Sequence, residues 1–194
     1  MLRKVYNWIM SFASHPRAVW VVSLVSFAES SFFPLPPDPL LIAMILKHRE
    51  KAWRLAFICT ISSVIGGLVG YAIGYWIYET VGEKIIAWYG LQQSFENFTH
   101  QFDKYGFWVI ALKGLTPIPY KIVTISSGIA GYDIRKFLLA SIIARSFRFY
   151  LLAALLKFYG APIKDYIDNN LGFVTTAGLA ALVSGFFLFK YVVA

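Results

Sequence analysis

The chain has 194 residues, of which 58% are hydrophobic, 18% aromatic and 14% charged, with a net charge of +8 and a mean hydropathy of +0.62. Soluble domains carry about 25% charged residues, so ten acids and eighteen bases spread among long apolar runs cannot cover a water-soluble fold of this size. A soluble enzyme, a disordered chain and a nucleic-acid module are all disfavoured, and the bases sit where apolar segments end and anionic lipid head groups begin.

Residues 1–14 contain Arg3 and Lys4 but no continuous apolar stretch before a small-residue cleavage site, so a cleavable signal peptide is not expected. Val5, Trp8, Ile9 and Phe12 recur there at helical spacing, which suits either an interfacial helix lying on a bilayer or an ordinary helix capping a bundle. Residues 18–46 are apolar but are cut by Pro34-Leu35-Pro36-Pro37-Asp38-Pro39, where four prolines forbid helix continuation. A hydrocarbon core about 30 Å thick takes roughly 20 helical residues to cross. At 1.5 Å per residue the arm 18–33 reaches about 24 Å and the arm 40–46 about 10 Å. Broken backbone at membrane depth survives only where protein or a wet cavity satisfies its polar groups, so this stretch reads as a re-entrant hairpin.

Residues 53–78 form the first full spanning helix, with Gly66, Gly70 and Gly74 four apart on one face, a helix-packing device. In the connector 79–105, Leu91, Phe95, Phe98 and Phe102 follow a 4-3-4 spacing that predicts an interfacial helix over 82–104. Residues 106–131 are apolar and broken at Thr116-Pro117-Ile118-Pro119-Tyr120-Lys121, which makes a second hairpin. A full helix over 137–158 and a C-terminal one over 171–190 follow.

The order of hairpin, basic loop and helix thus occurs twice, over 18–78 and 106–158, and the single crossing between them turns the second unit upside down. The expected fold is an all-α integral membrane protein, one membrane domain of two inverted hairpin-plus-helix repeats. Residues 47–54 hold four bases against one acid, and residues 79–105 four acids against two bases, which places the former in the cytoplasm. Arg135 and Lys136 then fall on the far side, against that rule. Cys59 is the one cysteine and lies in an apolar run, so no disulfide forms within the chain and a thiolate metal site is not expected.

An ionisable side chain within a spanning segment costs at least about 2.5–3.5 kcal/mol and marks a functional candidate. The first hairpin has Glu29 and Asp38, the second Lys113 and Lys121, and the helix after it Arg145 and Arg148. Three residues apart, Arg145 and Arg148 share a face, and their planar forks suit phosphate. A carboxylate whose pKa rises on desolvation and falls beside a base can load and release a proton near neutral pH. Plainer roles compete: either acid can be a structural partner for either arginine, Asp38 can cap the arm after it, and Lys113 can snorkel to the interface. Lys121, at the break, is the better ligand candidate. The prolines Pro34, Pro36, Pro37, Pro39, Pro117 and Pro119 shape the hairpin tips. His15, His48 and His100 have no His or Cys at metal-ligand spacing, and neither a phosphate-cradling glycine loop nor a nucleophile elbow occurs. No metal, nucleotide or redox cofactor is expected, and neither is enzymatic activity.

The segment Phe27-Ala28-Glu29-Ser30-Ser31-Phe32-Phe33-Pro34-Leu35-Pro36-Pro37-Asp38-Pro39-Leu40-Leu41 resembles the acidic, proline-rich first hairpin of DedA proteins, bacterial members of the VTT-domain (SNARE-associated Golgi) family. Residues 113–131, ending Ser126-Ser127-Gly128-Ile129-Ala130-Gly131, are similar to its second hairpin, and the likeness spans 27–159, nearest the small YqaA-like branch. The resemblance implies an inner-membrane, multi-pass protein that moves phospholipids or polyprenyl-phosphate carriers between leaflets, in some members driven by protons. It also implies that Glu29 and Asp38 are the two acids the family depends on. Lys113 and Lys121 stand where the family has arginines flanking a proline, at longer spacing, and Pro37 replaces the glycine before the aspartate. A lysine is a point charge where arginine offers a bidentate fork, with Arg145 and Arg148 as compensation. The expected function is therefore transport of an anionic lipid, coupled to protons through Glu29 and Asp38, with no nucleic-acid partner and a second copy of the chain left open. A membrane scaffold or assembly factor is the alternative from another class, and a lipid phosphatase comes third.

Overall fold

The computed structural model describes residues 13, 15, 17–31, 36–112 and 119–169, with side-chain surroundings through residue 160 and at Pro162. Most of the expected N-terminal helix, the whole C-terminal helix over 171–190, Pro34, Lys113 and Pro117 lie outside the described residues.

Proline placement sets the first two helices. α1, Ala18–Ser31, ends before the proline run, and α2, Asp38–Lys47, begins within it. Pro39 occupies the first turn of α2, where a missing N–H removes no intrahelical bond. A short 3₁₀ turn, Arg49–Lys51, leads into α3, Ala52–Ile77, whose 26 residues reach about 39 Å. A π turn, Tyr78–Gly82, carries the helix on into α4, Glu83–Tyr89. Gly90 stops it: its left-handed φ of +66° lets its own N–H and that of Leu91 bond back to Ala87 and Ile86. The chain then returns as α5, Gln92–Ala111, with the Tyr78 and Phe95 rings stacked 4.8 Å apart across the turn.

α6, Tyr120–Ile129, closes at Gly131 (φ +60°), and α7, Ile134–Asn169, is the longest helix described. Asp133 starts α7, its Oδ1 accepting the backbone N–H groups of Arg135 and Lys136 at 2.9 Å each. These bonds hold its carboxyl below the ordinary aspartate range, the Lys136 N–H contributing most.

Three boundaries differ from the periodicity, the first being that the single helix expected over 82–104 is cut at Gly90 into α4 and α5. The arm expected to begin at residue 106 is the last part of α5, which passes Gly106 unbroken because the glycine lets the Phe102 and Tyr132 rings close over it. α7 continues eleven residues past Phe158 and takes Pro162 into its interior, forgoing one hydrogen bond for a continued helix.

α3 is the central element, with α1, α6 and α7 packed around it. Its glycines let two helices approach: Gly66 faces the Phe27 backbone of α1, and Gly74 faces the Ile125 backbone of α6. Gly128 of α6 returns the contact against Tyr71 and Tyr75. Two separate apolar cores result. Val22, Leu41, Ile45, Leu55, Phe149 and Leu156 join α1, α2, α3 and α7 in one; Ile110, Val123, Phe137 and Ala140 join α5, α6 and α7 in the other.

The outward faces are apolar too. Phe57, Ile61, Ile65 and Val69 form an exposed stripe four residues apart on α3, and Leu139, Ile143, Phe147, Leu151 and Leu155 form another on α7. Stripes of this length suit lipid rather than water. The described residues are mostly helical with no strand, and two helices are long and apolar enough to cross a membrane, Arg49–Tyr89 and Ile134–Gly160.

Candidate functional site

Between the two cores lies a polar layer. α1 presents serines toward α3 at positions 23, 26, 30 and 31. Ser26 donates to the Cys59 carbonyl and Ser31 to the Gly66 carbonyl, each at 2.9 Å, while Ser23 and Ser30 meet the hydroxyls of Ser62 and Ser63 at 2.6 Å. Across α3, Thr124 of α6 reaches the Ser30 carbonyl at 3.4 Å. Small hydroxyl side chains draw helices together where lipid offers no hydrophobic drive for association.

The four charges that the sequence places on α1, α2 and α7 pair at the edge of this layer. Arg145 Nη2 lies 3.7 Å from Glu29 Oε2, and Arg148 Nη2 donates to Asp38 Oδ2 at 2.5 Å. Both acids of the first proline-broken stretch are therefore held by one face of α7. The capping role open to Asp38 is not realised: the α2 N-cap is Pro37, without a side-chain bond, and the carboxylate turns to Arg148 instead.

The pairs differ in access. The side chain of Arg145 is 3% exposed and that of Glu29 20%, against 35% for Arg148 and 26% for Asp38. The inner pair is sealed by Tyr120, whose ring centroid lies 3.5 Å from the Arg145 guanidinium carbon, a close cation–π contact. The Tyr120 hydroxyl points among Ser141 and Arg145 without meeting either at hydrogen-bond geometry, and Arg145 Nε is likewise unbonded among the described residues.

Lys121 follows Tyr120 at the start of α6, half-buried, and has no ion pair with Glu29 or Asp38. Pro36 and Pro37 precede α2, Pro39 lies in its first turn and Pro119 is the N-cap of α6. The sequence reading missed Tyr120 and Ser141. Tyr120 sits beside the proline break and Ser141 lies four residues before Arg145, so each carried a positional signal.

The family model for the VTT domain matches residues 35–158. The chain is similar to a Haemophilus influenzae protein of uncharacterized function, 32% identical over 186 residues and 96% of both chains. A Histophilus somni homologue of similar description is 35% identical over 88% of each chain. The Golgi apparatus membrane protein TVP38 of Eremothecium gossypii is 21% identical over 87% of this chain and 54% of its own length. No solved structure matches the chain.

Proposed function

We propose, from the premise that this chain belongs to the VTT domain family, that it moves an anionic lipid between the leaflets of a bacterial inner membrane. In this reading α1–α2 and α5–α6 are opposed re-entrant hairpins, and α3 and α7 are the full crossings. The observation that carries it is the pairing of both hairpin acids, Glu29 and Asp38, with Arg145 and Arg148 on a helix whose outer face is an apolar stripe. Charges at that depth are costly unless paired, and a pair that can exchange its anion is a binding site as well as a structural tie.

A lipid phosphate replaces a carboxylate as the partner of an arginine, because the planar fork of N–H groups donates to either anion. Protonation of Asp38 removes its claim on Arg148 and frees the guanidinium for the head group; release of the proton restores the pair and expels the lipid. Glu29 exchanges its proton beside Arg145 one helical turn away, where the Tyr120 ring keeps the guanidinium from the head group. Lys121, at the start of α6, supplies further positive charge.

Purified protein in liposomes with labelled phosphatidylglycerol tests this. The wild type accelerates loss of inner-leaflet label, and Asp38→Asn slows it by about tenfold, the loss of one charge-assisted contact, with an unchanged gel-filtration profile. Wild-type rates in Asp38→Asn and Glu29→Gln reject the proton role, and no acceleration by the wild-type protein rejects transport altogether.

A further inference from the structure

Beside the outer ion pair, a groove of about 380 Å³ opens on the side of the molecule between α2 and α7. Its polar end is the pair itself, Asp38 and Arg148. The rest is apolar: Ile42, one turn after Asp38 on α2, faces Phe147, Leu151, Leu152 and Leu155 of α7. From Arg148 to Leu155 the α7 wall runs about 10 Å along the helix axis. Phe147, Leu151 and Leu155 belong to the exposed stripe of α7, so the groove is continuous with the face turned to lipid.

We infer that this groove is a lateral binding slot for one anionic membrane lipid, its phosphate competing with Asp38 for Arg148 and one of its chains lying between α2 and α7. The inference names the place where the lipid of the proposed transport first docks, and it rests on that reading for the identity of the cargo. Three observations select this occupant. The groove opens onto the exposed apolar stripe of α7, a surface suited to lipid. Its charge lies at one end only, which matches an amphiphile with a head and a tail. The cation there is the accessible one, 35% exposed, while Arg145 is closed off at 3%.

The same geometry fixes what the slot discriminates. A chain leaving bulk lipid for an apolar groove gains little, because lipid tails are as apolar as leucine. Selectivity therefore comes from the head group at Arg148, where an anionic phosphate without a cationic substituent replaces the carboxylate charge for charge. A zwitterionic phosphocholine brings its own ammonium to the site and gains less.

Photoactivatable phosphatidylglycerol, with a diazirine midway along one chain, tests this in nanodiscs holding the full-length protein. Peptide mapping after irradiation is expected to find label on the peptides bearing Ile42 and Leu151 about fivefold above the peptide bearing Phe57 and Ile65, and about fivefold above the yield with diazirine phosphatidylcholine. Leu151→Trp, at a half-exposed position, fills the slot and lowers that label with an unchanged melting temperature. Even labelling of the α3 and α7 faces, or equal labelling by the two lipids, overturns the slot. Labelling of the slot without translocation in liposomes rejects the transport and keeps the site; translocation with even labelling does the reverse.

Discussion

Replacing Glu29 by glutamine preserves the size of the side chain and removes its charge, which leaves Arg145 as an uncompensated cation inside the bundle. The arginine is 2% exposed, and its nearest acid oxygen lies 3.7 Å away. At an effective dielectric constant of about 20, two unit charges at that separation attract by about 4 kcal/mol. Removing one partner of such a buried pair typically destabilises by about 3–5 kcal/mol. The Tyr120 ring remains over the guanidinium and retains about 2 kcal/mol of attraction, so the lower end of that range is expected. A chain of this length loses about 2–4 °C per kcal/mol, and Glu29→Gln therefore melts about 6–12 °C below wild type, followed by tryptophan fluorescence in detergent. The paired replacement Glu29→Leu with Arg145→Met removes both charges and recovers most of the loss, since apolar residues of similar volume substitute well for a buried ion pair. A Glu29→Gln midpoint within about 2 °C of wild type, or a double variant no better than the single, refutes the desolvated pair.

Three further outcomes follow from the geometry. Tyr120→Phe keeps the ring over Arg145 and removes a hydroxyl that makes no hydrogen bond among the described residues, so it changes stability by less than about 1 kcal/mol, whereas Tyr120→Leu costs about 2 kcal/mol or more; thermal melts compare them. Gly66→Ala drives a methyl into the Phe27 backbone and separates α1 from α3 at about 1–3 kcal/mol, read as a lowered denaturation midpoint. Asp133→Ala lowers the melting temperature at neutral pH by removing the α7 cap. Because the folded carboxyl titrates below its unfolded value, its stabilisation is complete above the ordinary aspartate range and is lost as pH falls through the lower folded value, so wild type and variant converge in acid. A gap that stays constant down to about pH 2 contradicts the cap.

Clustered prolines made the break between α1 and α2 legible, because several residues without an N–H in close succession are not carried within one helix. The ends of α1 and α2 and the extent of α3 follow from that and from apolar length. α5 and α7 run further than apolar length predicts, because packing around Gly106 and continuation past Pro162 outweigh a local weakness in each helix. The six ionisable candidates were visible one by one, since any charge in an apolar run stands out. Their pairing was not, because Asp38 and Arg148 are 110 positions apart and only the packing of α2 on α7 brings them together. Tyr120 escaped notice because an aromatic among aromatics carries no contrast; it becomes distinctive only once Arg145 lies under its ring.

The continuous helix from Arg49 to Tyr89 has 41 residues, about 61 Å of rod, roughly twice the thickness of a bilayer's oily interior. Such a rod leans, or its surplus end stands clear of the oil. The surplus holds Trp88 and Tyr89, whose rings are largely uncovered and favour the boundary between head groups and tails. The Gly90 reversal next to them sends the polypeptide back the way it came. An aromatic anchor beside a tight turn thus limits how far a rod of this length can slide through such a layer.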